Sequence, residues 1–424
     1  MLSNTILYGK KDEYNPIYKI FDTISQKNEY CEAEFLDAVG KILKTAQKYN
    51  FSGNCFKTYI AWLLITDENP YSLECEMKKG VNSSLKSFAL FDMTIIRSIF
   101  FADADVSDSL PENAKMLFSM LKNFKSEEKK PTNLTEIGML AVGLADKLLN
   151  TDSAEEFLDV LTEFYSHFGT GMFGLNKAFR ICEHTDGGFS LIPASAVEDV
   201  TFSDLWGYED QKNMLIKNTQ DFIAGIPSNN VLLYGDSGTG KSTCIKALLN
   251  EYYKDGLRII EIYKHQFKFL SPLLNLLKNR NYSFIIYMDD LSFEDFEIEY
   301  KYLKAVIEGG METNPDNVLI YATSNRRHLI KETWKDRDDY DNDLHHSDTM
   351  QEKLSLSDRF GLAINFTKPV QKEYFEIVKH LAKKHNIGLS EDELISVART
   401  WGVGHGGYTG RAAKQLIINL MGHN

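Results

Sequence analysis

Apolar residues in the first 170 positions recur at helical spacing. Over Glu32–Tyr49, the side chains Phe35, Val39, Ile42, Leu43 and Ala46 share one face, which predicts an amphipathic helix. Phe56–Thr66, Leu85–Phe101, Pro111–Phe124 and Leu134–Leu149 follow the same period, and Ser153-Ala-Glu-Glu156 reads as a capping box opening a helix that runs to about His167. No strand alternation interrupts this stretch, so residues 1–170 are expected to form an all-helical N-terminal domain. Between 171 and 200 the period is lost, and Gly171, Gly174, Gly187, Gly188 and Pro193 mark a connector.

From residue 201 short apolar runs alternate with helical ones. Val231–Tyr234, Arg258–Tyr263, Phe284–Met288, Val318–Ala322 and Leu362–Phe366 read as strands. Lys241–Tyr253, Leu273–Lys278 and Phe296–Gly309 read as the helices between them. That order predicts an α/β core over 201–368, with a parallel sheet covered on both faces. Beyond Pro369 the helical period returns in Glu373–His385, in Glu391–Thr400 behind the capping box Ser390-Glu-Asp-Glu393, and in Gly410–Leu420. Residues 369–424 are therefore expected to form a helical lid.

The sharpest chemical signal lies where the first strand of this core meets its helix. Gly235-Asp236-Ser237-Gly238-Thr239-Gly240-Lys241-Ser242, followed by Thr243, matches G-x-x-x-x-G-K-[S/T] in a strand–loop–helix frame. Glycines let successive backbone N–H groups turn inward on a phosphate chain, and the helix N-terminus adds its dipole. Lys241 is expected to bring a point charge to the outer phosphates, and the Ser242 hydroxyl to ligate Mg2+. About 50 residues later the run Phe284–Met288 delivers Asp289 and Asp290 to a strand end. Asp289 is expected to hold Mg2+ and Asp290 to orient the attacking water, with Glu294 as a rival for the base. A bare Asp-Asp turn would be an ordinary surface feature; the preceding phosphate loop gives it a role.

Other residues fit the same chemistry. Thr323-Ser-Asn325 ends a strand and would set an amide beside the γ-phosphate. Arg359, in Ser355-Leu-Ser-Asp-Arg359-Phe360, would reach a neighbouring subunit's nucleotide, against the plainer alternative of a salt bridge with Asp358. Arg411, at the start of the last helix, would touch the nucleotide from the lid. The stretch Phe202–Lys212 offers Leu205 and Trp206 either to adenine or to the core.

In this order the motifs resemble an AAA+ ATPase module. More narrowly, the stretches around Asn229–Ser242, Met288–Glu294, Tyr321–Leu329 and Glu352–Leu362 are similar to a bacterial family of AAA+ proteins known as ATP-binding proteins of unknown function. The resemblance runs from about Phe168 to Asn424. It implies a P-loop NTPase fold with a five-stranded parallel sheet in the order 5-1-4-3-2. It also implies a nucleotide site built from Lys241, Ser242, Asp289, Asp290, Asn325, Arg359 and Arg411, with ATP and Mg2+ as cofactors. Many AAA+ enzymes carry Glu where this chain has Asp290, one methylene shorter, which puts the rate of hydrolysis in doubt.

Composition narrows the partners. The 424 residues carry 47 Lys+Arg against 60 Asp+Glu, a net charge of -13. Acidic side chains outnumber basic ones in the first 200 residues and in the remainder, so nothing marks a nonspecific nucleic-acid binder. The acidic stretch Lys335–His346 reads as a solvated loop rather than a metal site or a duplex-binding insertion. Five scattered cysteines, with no C-x-x-C pair, fit a reducing compartment. No signal-peptide order opens the chain and no apolar run could span a bilayer, so a cytoplasmic location without membrane partners is expected. The function expected is Mg2+-dependent ATP hydrolysis by a homo-oligomer in which Arg359 acts in trans. Its N-terminal helices would grip a protein partner to be remodelled. The alternative is an ATP-gated switch or loader with slow or no hydrolysis, for which nucleic acid is a possible partner that the charge does not support.

Overall fold

The structure, a computed structural model, describes residues 5–25, 31–77, 82–102, 111–127, 132–194, 197–293, 298–308, 315–327, 329 and 357–422. Glu294, the stretch 335–346 and the motif residues 352–356 lie outside these. The chain divides into two compact units, Met1–Asn176 and Lys177–Asn424.

The first unit is helical among its described residues: α1 Asn15–Ile24, α2 Glu32–Tyr49, α3 Cys55–Thr66, α4 Pro70–Glu76, α5 Ser83–Phe100, α6 Glu112–Lys122, α7 Asn133–Leu149, α8 Ala154–Phe168 and α9 Gly171–Leu175. The face read from α2 is the one that packs: Phe35, Val39, Ile42 and Ala46 are buried in one apolar cluster with residues of α1, α3, α5, α7 and α8. Each large apolar side chain buried this way contributes about 1.5–3 kcal/mol. Local chemistry sets the helix ends. Asn50 closes α2 in the left-handed region (φ 59°), and Asn69 and Ser72 cap α4 reciprocally. The Ser153 hydroxyl accepts the Glu156 N–H as expected, but the Glu156 carboxylate accepts from Asp152 N at 2.8 Å.

A buried carboxylate ties the start of the described chain to this unit. Asp92 of α5 is fully buried, and its oxygens accept the backbone N–H groups of Ile6, Leu7 and Tyr8 at 2.7, 2.7 and 2.9 Å. Removing it strands three donors, of which the Tyr8 N–H is buried and those of Ile6 and Leu7 are part-buried, and a buried donor without a partner costs about 1–3 kcal/mol. Asp92→Ala is therefore expected to destabilise this unit by about 2–3 kcal/mol. Chemical denaturation monitored by aromatic fluorescence tests this, and a shift below about 1 kcal/mol would show the clamp to be dispensable.

The second unit corrects the expected sheet. Among its described residues it holds seven strands, not five, in the order β2-β1-β4-β5-β6-β3-β7. These are β1 Ala178–Glu183, β2 Phe189–Pro193, β3 Val231–Gly235, β4 Leu257–Glu261, β5 Ser283–Met288, β6 Val318–Ser324 and β7 Leu362–Phe366. The sheet is mixed rather than parallel: β1 and β2 pair antiparallel, while β1–β4, β4–β5, β5–β6, β6–β3 and β3–β7 pair parallel. The two additional strands come from the stretch read as a connector. Its Asp186-Gly-Gly turn closes a hairpin, with His184 N–H donating to Gly188 O at 2.8 Å, and Ala178–Arg180 then run beside Ile259–Glu261.

Between the strands run α10 Glu209–Ile223, α11 Lys241–Tyr252, α12 Leu270–Leu277 and α13 Glu299–Glu308. Leu215 and Phe222 of α10 share a buried cluster with Ile245, Leu248 and Leu249 of α11 and with apolar residues of five strands. Phe267 and Phe269 are buried, beside Phe293 and Phe189 respectively. The chain ends in α14 Gln371–Lys384, α15 Glu391–Gly404 and α16 Gly410–Met421, which bury Tyr374, Ile377, Val378, Ala398, Ala413 and Leu416 in a separate small core. Ser390 and Glu393 form the reciprocal cap expected for α15. No helix among the described residues is long and apolar enough to cross a membrane.

Candidate functional site

The site gathers at the C-terminal ends of β3, β5 and β6, where open α/β sheets bind ligands. The loop 236–240 leaves β3 and enters α11 at Lys241, with Gly240 as N-cap at φ 100°. Gly235 is required outright: its φ is +123°, and a Cβ there would sit 2.3 Å from Phe366 O. Backbone contacts to β7 and its sequel hold the loop. Asp236 N–H donates to Phe366 O at 2.9 Å, and the Asp236 carboxylate accepts Lys368 N–H at 2.8 Å. The buried Thr239 hydroxyl donates to Asp236 O at 2.9 Å. Ser237 is exposed and Thr243 half-buried.

Lys241 is buried, and its ammonium donates to Gly235 O at 2.8 Å, Asp236 O at 2.7 Å and Asn325 Oδ1 at 3.3 Å. Burial pushes its pKa below the usual lysine value, against the charges of Asp236, Asp290 and Asp289, which favour the ammonium.

The register between β5 and β6 places Met288 opposite Ala322, so the chain beyond brings Asp289 beside Thr323. Asp289 Oδ1 accepts three hydroxyls: Ser242 Oγ at 2.8 Å, Tyr287 Oη at 2.6 Å and Thr323 Oγ1 at 2.6 Å. Desolvation raises its pKa, but the bonds from Thr323, Tyr287 and Ser242 outweigh it and hold the carboxyl below the usual range. Tyr287 is pushed far above the normal phenol value, by burial first and then by the Asp289 charge, so it stays a donor. Asp290 sits in the left-handed region at φ 50°; its N–H donates to Thr323 Oγ1 at 2.9 Å and its Oδ1 accepts Asn325 Nδ2 at 2.6 Å. Thr323 thus relays between the two aspartates, accepting from one backbone and donating to the other carboxylate.

Lys241, Ser242, Asp289, Asp290 and Asn325 are therefore joined in one hydrogen-bonded cluster. Arg411 borders it through its backbone, donating N–H to Gly238 O at 3.2 Å, and its side chain is exposed. Arg359 stands apart: its guanidinium pairs with Glu308 at 2.6 Å, and Glu308 rather than the neighbouring Asp358 is its partner. Leu205 and Trp206 are half-buried; Leu205 packs against the sheet core and Trp206 against the lid core. Tyr287, by sequence one residue of an apolar strand, also belongs to this site. Its place two positions before Asp289, on the same side of the strand, was the available signal.

The cluster combines a glycine loop, one lysine and hard oxygen donors, and it can hold a phosphorylated ligand with a divalent cation. The chain matches the family described as "Protein of unknown function (DUF815)" over residues 175–424. It belongs to that family. The DUF815 match takes in every residue of the cluster and begins just ahead of β1. Over 143 residues the chain is 29% identical to the 26S proteasome regulatory subunit 7 homolog of Saccharomyces cerevisiae, a stretch that is 32% of this chain and 29% of that protein. The chain thus spans less than a third of the length of this curated relative. A solved Thermotoga maritima RuvB, described as a Holliday junction branch migration motor, aligns with 51% of this chain and 69% of its own at 14% identity and a TM-score of 0.31. A RuvB variant from the same organism aligns with 53% of this chain and 71% of its own, at 14% identity and a TM-score of 0.35. Both structural likenesses are too slight to transfer anything further.

Proposed function

We propose that residues 201–368, with the lid 369–424, bind ATP with Mg2+ and hydrolyse it, and that copies of the chain assemble so that Arg359 completes a neighbour's site. The observation that carries this reading is the 2.8 Å hydrogen bond from Ser242 Oγ to Asp289 Oδ1, which joins the end of the glycine loop to the acidic strand end. The residues fit the ligands. Gly235, Gly238 and Gly240 form a cradle that side chains would fill: a Cβ would lie 2.3 Å from Phe366 O, 3.1 Å from Arg411 Cβ and 2.9 Å from Leu205 Cδ2 respectively. Ser242 and Asp289 offer the hard oxygens that Mg2+ prefers. Bound Mg2+ supplies positive charge that neutralises phosphate oxygens.

The chain's own groups then have distinct tasks. Lys241 carries charge to the outer phosphates. Asp290 accepts a proton from the attacking water, and Asn325, already donating to Asp290, orients that carboxylate and the water. Arg359 has to leave Glu308 to act on a neighbour. The N-terminal unit is proposed to grip a macromolecular partner, a role supported by exposed Phe88, Phe91, Met116, Met120 and Met139.

A second reading, an ATP-gated switch with slow hydrolysis, draws on Asp290. Its short carboxylate is held directly by Asn325 at 2.6 Å, a geometry that restrains the base. ATP turnover per subunit, followed across a concentration series with particle mass recorded in ADP and in ATP, separates the two. Turnover per subunit is expected to rise about tenfold or more as particles grow, since a trans-acting Arg contributes far more than that. Assembly with flat, slow turnover would instead establish the switch, and absence of nucleotide binding would sink both.

A further inference from the structure

The environment of Asp289 goes beyond what the glycine loop and the acidic pair require. A carboxylate can accept about four hydrogen bonds over its two oxygens. Here three hydroxyls converge on Oδ1, and only one of them, Ser242, belongs to the phosphate loop. The other two come from the sheet itself: Tyr287 from β5, almost fully buried, and Thr323 from β6, also buried. Both reach the same atom at 2.6 Å, short for hydroxyl donors and characteristic of a charged acceptor. Two donors fixed on adjacent strands restrict rotation of the carboxylate about its Cβ–Cγ bond, whereas one flexible serine cannot. The orientation so imposed turns Oδ2 away from the three donors.

We propose that Tyr287 is a positioning residue that sets the rotamer of Asp289 for divalent-cation binding, with Thr323 as its partner on the neighbouring strand. This rests on the reading of Ser242 and Asp289 as the Mg2+ site. Tyr287 does not touch the nucleotide; it acts through Asp289, as hydrogen-bonded partners of metal ligands do, and their loss typically weakens metal binding 10–100-fold.

The test uses the full chain and Tyr287→Phe, which removes one oxygen and keeps the ring. Binding of a fluorescent ATP analogue is titrated in EDTA and then against MgCl2, and Mn2+ binding to the nucleotide complex is followed by electron paramagnetic resonance. In EDTA the variant is expected to match the parent within about twofold, while the Mg2+ and Mn2+ half-saturation points rise at least about tenfold. Equal half-saturation in variant and parent overturns the inference. A parent whose nucleotide binding ignores Mg2+ overturns the proposed metal site, and this inference with it, so the two failures read differently. Should Tyr287→Phe lose its fold, the pair Thr323→Val and Thr323→Ser decides. The valine variant is expected to raise the half-saturation point and the serine variant to restore it; no difference between them overturns the inference.

Discussion

Lys241→Ala is expected to weaken ATP binding at least about a hundredfold, because a charge-assisted bond in a partly dry site is worth about 1.5–3 kcal/mol and this ammonium would face more than one phosphate oxygen. The same side chain also fastens the loop, through Gly235 O, Asp236 O and Asn325 Oδ1. Some of the loss could therefore come from a loosened loop, and Lys241→Met, which keeps much of the stem, controls for buried packing. Isothermal titration with ATP, beside a thermal melt of each variant, reads both effects. Unchanged affinity in a folded Lys241→Ala variant would refute the assignment of the loop to phosphate.

The second large effect concerns assembly. Arg359→Ala is expected to leave ATP affinity within about threefold of the parent and to remove about a thousandfold of assembly-stimulated turnover, the range in which trans-acting arginines operate. The Glu308 pair frames this result. Arg359 is more than a third exposed and pairs with Glu308 at 2.6 Å, so the bond is a surface contact of modest strength, about 0–1 kcal/mol, that an assembling neighbour can displace. Mixing Arg359→Ala with Asp290→Asn should restore activity, because each variant keeps the half of the site that the other lacks. Mixed particles that are verified by mass and remain inactive would remove the trans role and leave Arg359 as a partner of Glu308 only.

Lys241, Ser242 and Asp289 stand out in the sequence because each sits in a fixed frame. A strand, a glycine loop and a helix fix Lys241 and Ser242 whatever surrounds them, and an apolar strand ending in acid fixes Asp289. What surrounds Asp289 could not be read the same way. The contact from Thr323 depends on the β5–β6 register, with Met288 opposite Ala322, and that register is set by packing on both faces of a buried sheet. Tyr287 was hidden inside an apolar run, where an aromatic residue reads as core. Helix α10 escaped for the opposite reason. Its run of charged and amide residues buries only Lys212, Leu215, Thr219 and Phe222, too narrow a stripe to stand out. In the β1–β2 hairpin, glycines and a proline surround two five- and six-residue strands, so turn signals outweighed the alternation. Helices α2 and α7, long and strongly periodic, matched their expected spans to within a residue.

The hairpin also determines how much of this chain can exist alone. Strand β4 is buried over Leu257–Ile260 and exchanges backbone bonds with β5 on one side and β1 on the other. A chain starting at residue 201, where the strand–helix alternation begins, would leave β4 as an unpaired apolar edge, the kind of surface that can pair with foreign strands. Strand β2 ends the sheet more safely, with Pro193 as its last residue and no N–H there to offer. A shortened chain that keeps β4 covered is therefore expected to begin before Ala178, since residues 178–193 pair with that edge of the sheet.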